Sequence, residues 1–132
     1  MRISQSLIDE MVAHARADLP NECCGMVGGR DGEASVVVPV LNSAASPLRF
    51  EMDPQGQYNA LKSIEDDGGE LLAIYHSHTK SAAYPSQTDV NQAQNWPEPI
   101  YVIVSLADSE NPDVQGFHLA DLKITDAELD IG

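Results

Sequence analysis

Residues 70–90 read ELLAIYHSHTKSAAYPSQTDV, and this stretch decides the fold of the chain. Its first half holds five consecutive apolar residues, from Leu71 to Tyr75, which predicts a strand over 70–78 that is buried on both faces. Pro85 and Ser86 then predict the start of a helix, because proline is tolerated in the first helical turn and serine caps it. A buried strand joined by a loop to a helix is typical of a sheet covered by helices.

The segments before this stretch predict two helices and three strands. Apolar residues recur at spacings of one, three and four near the start, which indicates an amphipathic helix capped by Ser4 or Ser6. Asp53 and Pro54 begin a second helix by the same capping rules. The predicted elements are a helix over 4–18, strands over 24–28, 33–41 and 49–52, and a helix over 53–66.

The segments after it complete the expected fold. The helix that begins at Pro85 should stop before Pro97. Further strands are predicted over 100–106, 114–120 and 122–124. The predicted fold class is therefore α/β with α+β character, a single mixed β-sheet flanked by helices. We expect one domain over residues 1–132, since this length with 42% apolar residues supplies one packed core.

The composition indicates where the protein works. The start of the chain lacks the apolar segment of a secretory signal, and the apolar runs are too short to span a bilayer. Cys23 and Cys24 are adjacent, and neighbouring cysteines rarely bond to each other because the small ring is strained. The sequence therefore predicts a cytoplasmic protein without a disulfide framework.

The charge balance limits the partners. The chain has 21 acidic and 7 basic residues, for a net charge of −14. Nucleic acids and anionic membranes are bound mainly through Lys and Arg. We therefore expect no nucleic-acid and no membrane partner, whereas a basic or neutral protein partner is compatible with this charge. The oligomeric state is left open.

The end of the predicted strand carries two histidines with metal-ligand spacing. His76 and His78 are two residues apart in a strand and therefore point to the same face. Ser86 and Asp89 are three apart at the start of a helix and also share a face. The seven residues between His78 and Ser86 form a loop long enough to fold Asp89 back onto the histidines. Two nitrogens and one carboxylate oxygen leave a fourth position open, which is typical of catalytic zinc.

Parts of this pattern also have other interpretations. Ser86-x-x-Asp89 is the pattern of a helix capping box, and Pro85 strengthens that structural interpretation. The two roles are compatible, because a cap also fixes the orientation of Asp89. Cys23 or Cys24 paired with a histidine is an alternative nucleophile, but no basic residue lies near them in sequence to favour a thiolate.

Four other residues have only general expectations. His14 is predicted on the polar face of the first helix and His118 in a late strand, and both are expected to be structural. Trp96 and Tyr84 would line a substrate groove or pack at its rim.

The joint pattern of His76-x-His78, seven residues, Ser86, two residues and Asp89 resembles the signature of the JAMM metallopeptidases, also called the MPN domain family. That family carries a glutamate upstream, between its first helix and the next strand, and Glu22 stands there in a Glu-x-x-Gly run. The resemblance covers nearly the whole chain and implies a cytidine deaminase-like MPN architecture.

The resemblance also implies a mechanism. His76, His78 and Asp89 would hold one Zn²⁺ per chain, although cobalt, iron or manganese suit the same ligands. Glu22 would take a proton from the zinc-bound water and deliver it to the leaving amine. Ser86 would donate a hydrogen bond to the oxyanion of the tetrahedral intermediate.

Shorter runs resemble the Mec-type peptidases of cysteine biosynthesis. These runs are YHSHT at 75–79, AYPS at 83–86 and TDV at 88–90. They imply hydrolysis of a peptide or isopeptide bond at the Gly-Gly C-terminus of a ubiquitin-like protein, with release of cysteine from a sulfur-carrier protein. Thr79 stands where many members have proline, which fits the Mec-like group.

Three alternatives stay open. The first is a prokaryotic deubiquitinase-like isopeptidase, which uses the same residues on a different conjugate. The second is a non-catalytic MPN scaffold, which the presence of all five motif residues disfavours. The third is a DNA-associated domain of the related RadC type, which the net charge of −14 disfavours.

Overall fold

The computed structural model describes residues 1–132 and contains three α-helices and eight strands. The helices are α1 (Gln5–Asp18), α2 (Pro54–Asp66) and α3 (Gln87–Ala93). The strands are β1 (Arg2–Ile3), β2 (Cys24–Arg30), β3 (Glu33–Val40), β4 (Glu70–His78), β5 (Ile100–Ser105), β6 (Asp113–His118), β7 (Thr125–Ala127) and β8 (Asp130–Ile131).

All eight strands form one mixed sheet in the order β7-β6-β5-β4-β2-β3-β1-β8. β4 and β5 are parallel, as are β1 and its neighbours β3 and β8, and the other adjacent pairs are antiparallel. β4 lies inside the sheet between β2 and β5, as its continuous apolar run predicts. The predicted fold class, a mixed sheet flanked by helices, is confirmed.

Helices cover both faces of the sheet. Alternate residues of the central strands point to opposite sides, so the apolar run of β4 places apolar side chains on both faces. On one face, α1 buries Met11 in a cluster that contains Tyr75 of β4. On the other face, α2 and α3 bury Ile64 and Val90 in a cluster that contains Ile74. The face that carries α2 and α3 is therefore the one that His76 and His78 continue.

The helices begin where capping chemistry predicts. Ser4 Oγ accepts a hydrogen bond of 3.2 Å from the backbone N–H of Leu7 at the start of α1. The carboxylate of Asp53 accepts one of 2.8 Å from the N–H of Gly56 at the start of α2. Each cap satisfies a backbone donor that has no partner within its helix.

The prediction of a strand over 49–52 is wrong. Only an isolated bridge joins Met52 to Asn42 there. The carbonyl of Arg49 and the N–H of Glu51 are bonded to the side chain of Asn42 instead of to a neighbouring strand. A side-chain amide thus replaces the ladder that a strand would need.

Two predictions near the later segments are also wrong. A short 3₁₀ helix occupies Ala120–Leu122, and the chain rejoins the sheet only at β7, so 122–124 is not a strand. Asp121 and Leu122 have φ values of 58° and 60°, which are incompatible with an extended strand. α3 ends at Ala93, short of the predicted end before Pro97, although the next residues continue in turns.

Both cysteines are free and buried. Burial raises the pKa of each thiol, Cys23 and Cys24, to about 12. A thiol with such a pKa stays protonated near neutral pH, so neither residue is a suitable nucleophile. None of the helices has the length and apolar character that crossing a membrane requires.

Gly25 in β2 leaves room for the ring of Tyr75 in the adjacent strand. A Cβ atom at Gly25 would overlap the ring and hydroxyl of Tyr75, which is fully buried. The Tyr75 hydroxyl lies 2.7 Å from Nδ1 of His14 on α1. The prediction that His14 occupies the polar face of its helix is therefore wrong, because this ring packs toward the sheet. Packing against Tyr75 therefore explains why glycine occupies the last position of the Glu-x-x-Gly run.

Replacing Gly25 by alanine should destabilise the fold by about 1–3 kcal/mol, because the added methyl group overpacks the core against Tyr75. Chemical denaturation of the metal-free protein measures this loss. The same Gly25→Ala change in a Tyr75→Leu background should cost less, since the overlapping ring is gone. Equal costs in the two backgrounds would contradict the steric explanation.

Candidate metal centre

The two predicted histidine ligands lie at the end of β4 on the face covered by α2 and α3. His76 is paired with Cys24 of β2 and Ile103 of β5, so its backbone is held from both sides. His78 is the last residue of the strand and pairs with Ser105. Both side chains are buried. The period of two in a strand therefore brings both imidazoles to one place.

A capping box at the start of α3 holds the third predicted ligand. Ser86 Oγ accepts a hydrogen bond of 3.1 Å from the N–H of Asp89. Asp89 Oδ2 accepts one of 3.0 Å from the N–H of Ser86. The capping interpretation is confirmed, and the box fixes the carboxylate beside the histidines.

Three potential ligand atoms meet at this point. Oδ2 of Asp89 lies 3.1 Å from Nε2 of His76 and 3.0 Å from Nε2 of His78. The two Nε2 atoms are 3.2 Å apart. Three donors bonded to zinc at about 2.0 Å in a tetrahedral arrangement lie about 3.3 Å apart. The spacing thus fits a metal ion of this kind.

The hydrogen bonding of His78 supports the same conclusion. Its Nδ1 lies 2.8 Å from the carbonyl oxygen of Ala82. A carbonyl oxygen only accepts, so Nδ1 carries the proton and Nε2 of the neutral ring has a free lone pair. That lone pair faces the carboxylate of Asp89 and the Nε2 of His76. These groups repel one another unless a proton or a metal ion lies between them.

The charges around this point favour a cation. Burial would raise the pKa of Asp89, but the adjacent imidazoles of His76 and His78 outweigh it and hold that pKa far below its usual range. Burial also opposes protonation of His78, yet the Asp89 carboxylate raises the pKa of the imidazole above its ordinary value. Asp89 is therefore an anion at neutral pH, and its surroundings stabilise positive charge.

Phe50 covers the other histidine. Its ring stacks on His76 with the centroids 4.5 Å apart and the planes 25° from parallel. Nδ1 of His76 is buried without a hydrogen-bond partner. The orientation of this ring is thus set by stacking, whereas that of His78 is set by a hydrogen bond.

Glu22 precedes β2 and is 4% exposed, with its Oε1 buried and without a hydrogen-bond partner. Burial raises the pKa of Glu22 to about 7, while His78 lowers it and Asp89 raises it to a smaller extent. A carboxyl group with such a pKa can accept and release a proton near neutral pH.

Two cavities adjoin the candidate ligands. The larger, of about 350 Å³, is lined by Glu22, His78 and Ser86 together with Lys80. The smaller, of about 310 Å³, is lined by the other two candidate ligands and by residues that include Phe50, Met52 and Trp96. All five predicted site residues therefore line one or the other of these two cavities.

The other residues singled out in the sequence lie at different distances from the candidate ligands. Trp96 lines the smaller cavity, which agrees with the expectation that it lines a groove. Tyr84 is exposed and packs edge-on against Phe117. His118 is exposed in β6 and lies outside the site. Sequence reasoning missed Phe50 and the carbonyl of Ala82, since an aromatic residue in a loop and a backbone oxygen carry no periodic signal.

The sequence is similar to a known family and to characterised proteins along most of its length. The family of prokaryotic homologs of the JAB domain, Prok-JAB, matches residues 4–119. A CysO-cysteine peptidase from Mycobacterium tuberculosis is 34% identical over 131 residues, which cover 98% of this chain and 89% of that protein. A desampylase from Haloferax volcanii is 39% identical over 105 residues, or 74% of each chain.

Solved structures share the fold. A protein from Desulfitobacterium hafniense superposes with a TM-score of 0.91 at 36% identity, covering 99% of this chain and 92% of that one. A JAB1/MPN domain protein from Archaeoglobus fulgidus superposes with a TM-score of 0.66 at 19% identity, covering 99% and 98%. The expected MPN architecture is thus confirmed. The chain belongs to the Prok-JAB family and is a JAMM/MPN-type peptidase related to the Mec-type enzymes.

Proposed function

We propose that the chain is a zinc-dependent peptidase that hydrolyses a peptide or isopeptide bond at the C-terminus of a ubiquitin-like protein. Its proposed substrate is a sulfur-carrier protein–cysteine adduct, from which it releases cysteine. One observation carries the proposal: the ligand atoms of His76, His78 and Asp89 converge to within 3.2 Å. The buried carboxyl group of Glu22 lines a cavity that reaches this point.

His76, His78 and Asp89 are proposed to hold one zinc ion per chain. Bound zinc supplies a Lewis acid and lowers the pKa of water from its ordinary value to about 7. The bond from His78 Nδ1 to Ala82 holds the tautomer that leaves Nε2 free for the metal. The capping box aims the Asp89 oxygen at the same point.

Glu22 is proposed as the general base and acid. It takes the proton of the attacking water and later delivers it to the leaving amine. Two features support this role: its Oε1 has no partner within the protein, and burial places its pKa at about 7.

Ser86 is proposed to stabilise the oxyanion. Its oxygen already accepts the capping bond from Asp89, so its own O–H remains available as a donor. The residue is exposed at the wall of the larger cavity. Such a donor acts where negative charge develops on the former carbonyl oxygen.

The two cavities support opposite roles for the two sides of the scissile bond. The tail of the ubiquitin-like protein is proposed to lie in the smaller cavity, and a Gly-Gly terminus suits it because glycine lets a backbone approach buried ligands closely. The leaving residue is proposed to occupy the larger cavity, where Glu22 can protonate its amine. Lys80 is the cation on that wall and suits the free carboxylate of a released cysteine.

Composition and similarity support the proposed substrate and the kind of partner. Resemblance to the CysO-cysteine peptidase extends over nearly the whole chain, which supports cysteine release. A net charge of −14 supports a basic or neutral protein partner over nucleic acid or membrane. A cytoplasmic location and a single domain over 1–132 stay predictions.

Cleavage of isopeptide-linked conjugates is the second candidate, because the Haloferax desampylase matches 74% of the chain. A linear carrier–cysteine adduct and an isopeptide-linked carrier, offered to the same enzyme, separate the two functions. Faster cleavage of the isopeptide would favour the second candidate.

Cysteine release from the carrier adduct, followed by mass spectrometry, should require zinc and should stop when the metal is removed by chelation. Glu22→Gln should lower kcat by about 100- to 10,000-fold, because the amide cannot take up the proton. Full activity of this variant would exclude Glu22 as the base.

The controls for this experiment are a glutamate and a histidine outside the site. Glu70→Gln, at the exposed start of β4, should keep its activity. Metal analysis should find one zinc per chain in the Glu22→Gln and His118→Ala variants and none in His78→Ala. Zinc retained by His78→Ala would contradict the proposed ligand set.

Ser86→Ala should lower kcat by about 100- to 1000-fold, because an oxyanion donor is lost. It should also lower stability by about 1 kcal/mol, because α3 loses its cap. Ser4→Ala is the matched control: it removes the equivalent cap of α1 and should cost similar stability at unchanged kcat. Equal kcat in both variants would reduce Ser86 to a structural role.

The raised pKa of Glu22 should appear in the stability of the metal-free protein. A carboxyl whose folded pKa, about 7, exceeds its unfolded value of 4.5 stabilises the fold below pH 4.5 and loses that contribution as pH rises through 7. Glu22→Gln, which never ionises, should therefore gain about 3 kcal/mol relative to the parent between pH 4.5 and 8 in urea denaturation. A difference independent of pH would refute the shift.

A further inference from the structure

Asn42 is a buried residue whose side chain uses all of its hydrogen-bonding capacity. It is 6% exposed and follows β3 in the loop before α2. Its Nδ2 donates to the carbonyl oxygens of Glu22 at 3.0 Å and of Arg49 at 3.2 Å. Its Oδ1 accepts from the N–H groups of Ala44 at 3.0 Å and Glu51 at 2.9 Å. An amide has two donors and two acceptor lone pairs, so no capacity is left over.

Two of these bonds flank Phe50. Arg49 and Glu51 are its chain neighbours, and Asn42 holds the carbonyl of one and the N–H of the other. Phe50 in turn stacks on His76 at a centroid distance of 4.5 Å. Asn42 therefore fixes the backbone on both sides of the ring that orients one proposed metal ligand.

A third bond reaches the proposed base. The carbonyl of Glu22 accepts from Asn42, and the N–H of Glu22 donates to the carbonyl of Ser46 in the same loop at 2.9 Å. The next residue, Cys23, is bonded on the other side to Ser77, which lies between the two histidines. The backbone of Glu22 is thus held between this loop and β4, although it belongs to no strand.

We propose that Asn42 is a positioning residue, which ties the backbone of Glu22 and the peptides beside Phe50 into one unit so that the base and the His76 face keep a fixed relation. The proposal rests on the role assigned to Glu22 under the proposed function. Asn42 lines neither of the two cavities beside the candidate ligands. It therefore acts through Glu22 and Phe50 and not on substrate.

Two substitutions separate positioning from simple folding. Asn42→Asp is nearly isosteric and keeps both acceptor bonds, but it replaces the donors by an oxygen that faces two carbonyl oxygens. Asn42→Ala removes all four bonds. Each variant is assayed well below its thermal transition, with far-ultraviolet circular dichroism to show that it is folded.

Both variants should lower kcat for the carrier–cysteine adduct by about 10- to 100-fold, the range found for residues that orient catalytic ligands indirectly. KM should stay within about twofold, because Asn42 does not line either cavity. Ser43→Ala is the matched control. It removes a bond of 3.0 Å to the carbonyl of Glu51 in the same loop without touching Glu22, and its kcat should be unchanged.

Combining Asn42→Ala with Glu22→Gln tests whether Asn42 affects kcat through Glu22. In a Glu22→Gln background, Asn42→Ala should lower the residual rate by less than threefold, since positioning matters little once the base is gone. The same factor in both backgrounds would overturn the proposal, as would a native kcat in folded Asn42→Ala.

Amide hydrogen exchange of the metal-free protein tests the geometry without any activity. Asn42→Ala should speed exchange at the N–H groups of Glu22 and Glu51 by at least about tenfold, while the N–H of Ser77 stays protected. Unchanged exchange at Glu22 would overturn the proposal even if the enzyme were active. If Asn42→Ala shows this faster exchange but the parent protein cleaves no adduct, the positioning role stands and the proposed function is rejected.

Discussion

The convergence of three potential metal-ligand atoms at the end of β4 is the constraint on which the rest of the site depends. Nε2 of His76, Nε2 of His78 and Oδ2 of Asp89 lie within 3.2 Å of one another in a buried position. Such an arrangement is unfavourable unless a proton or a metal ion lies between the atoms. It exists because an interior strand with a period of two presents two rings on one face, and a capped helix start adds a carboxylate.

The capping box shows that a structural and a functional interpretation of one motif can describe the same atoms. Ser86 and Asp89 satisfy each other's backbone donors, which stabilises the start of α3. The same bonds hold Oδ2 of Asp89 at 3.0 Å from His78 and leave the Ser86 hydroxyl facing a cavity. Local helix capping thus orients the carboxylate of a candidate metal ligand.

Periodicity predicted the regular elements well because their burial is regular. β4, with its unbroken apolar run, and α1, with its apolar stripe, lie where the pattern places them. The failures occur where a single side chain or backbone torsion outweighs local propensity. The amide of Asn42 replaces a strand ladder at 49–52, and Leu122, with a φ of 60°, breaks the extended conformation at the start of the expected strand over 122–124. Neither effect has a period.

The sequence by itself determined the type of fold, the spacing of the histidines and Asp89, and the chemical class these residues imply. Spacing along one strand and one helix turn is local, so it survives folding unchanged. Only the tertiary structure decided that Phe50 stacks on His76, that Gly25 makes room for Tyr75, and that Glu22 is buried near His78 and Asp89. These contacts join segments far apart in the chain, and their geometry depends on how the sheet and its loops pack together.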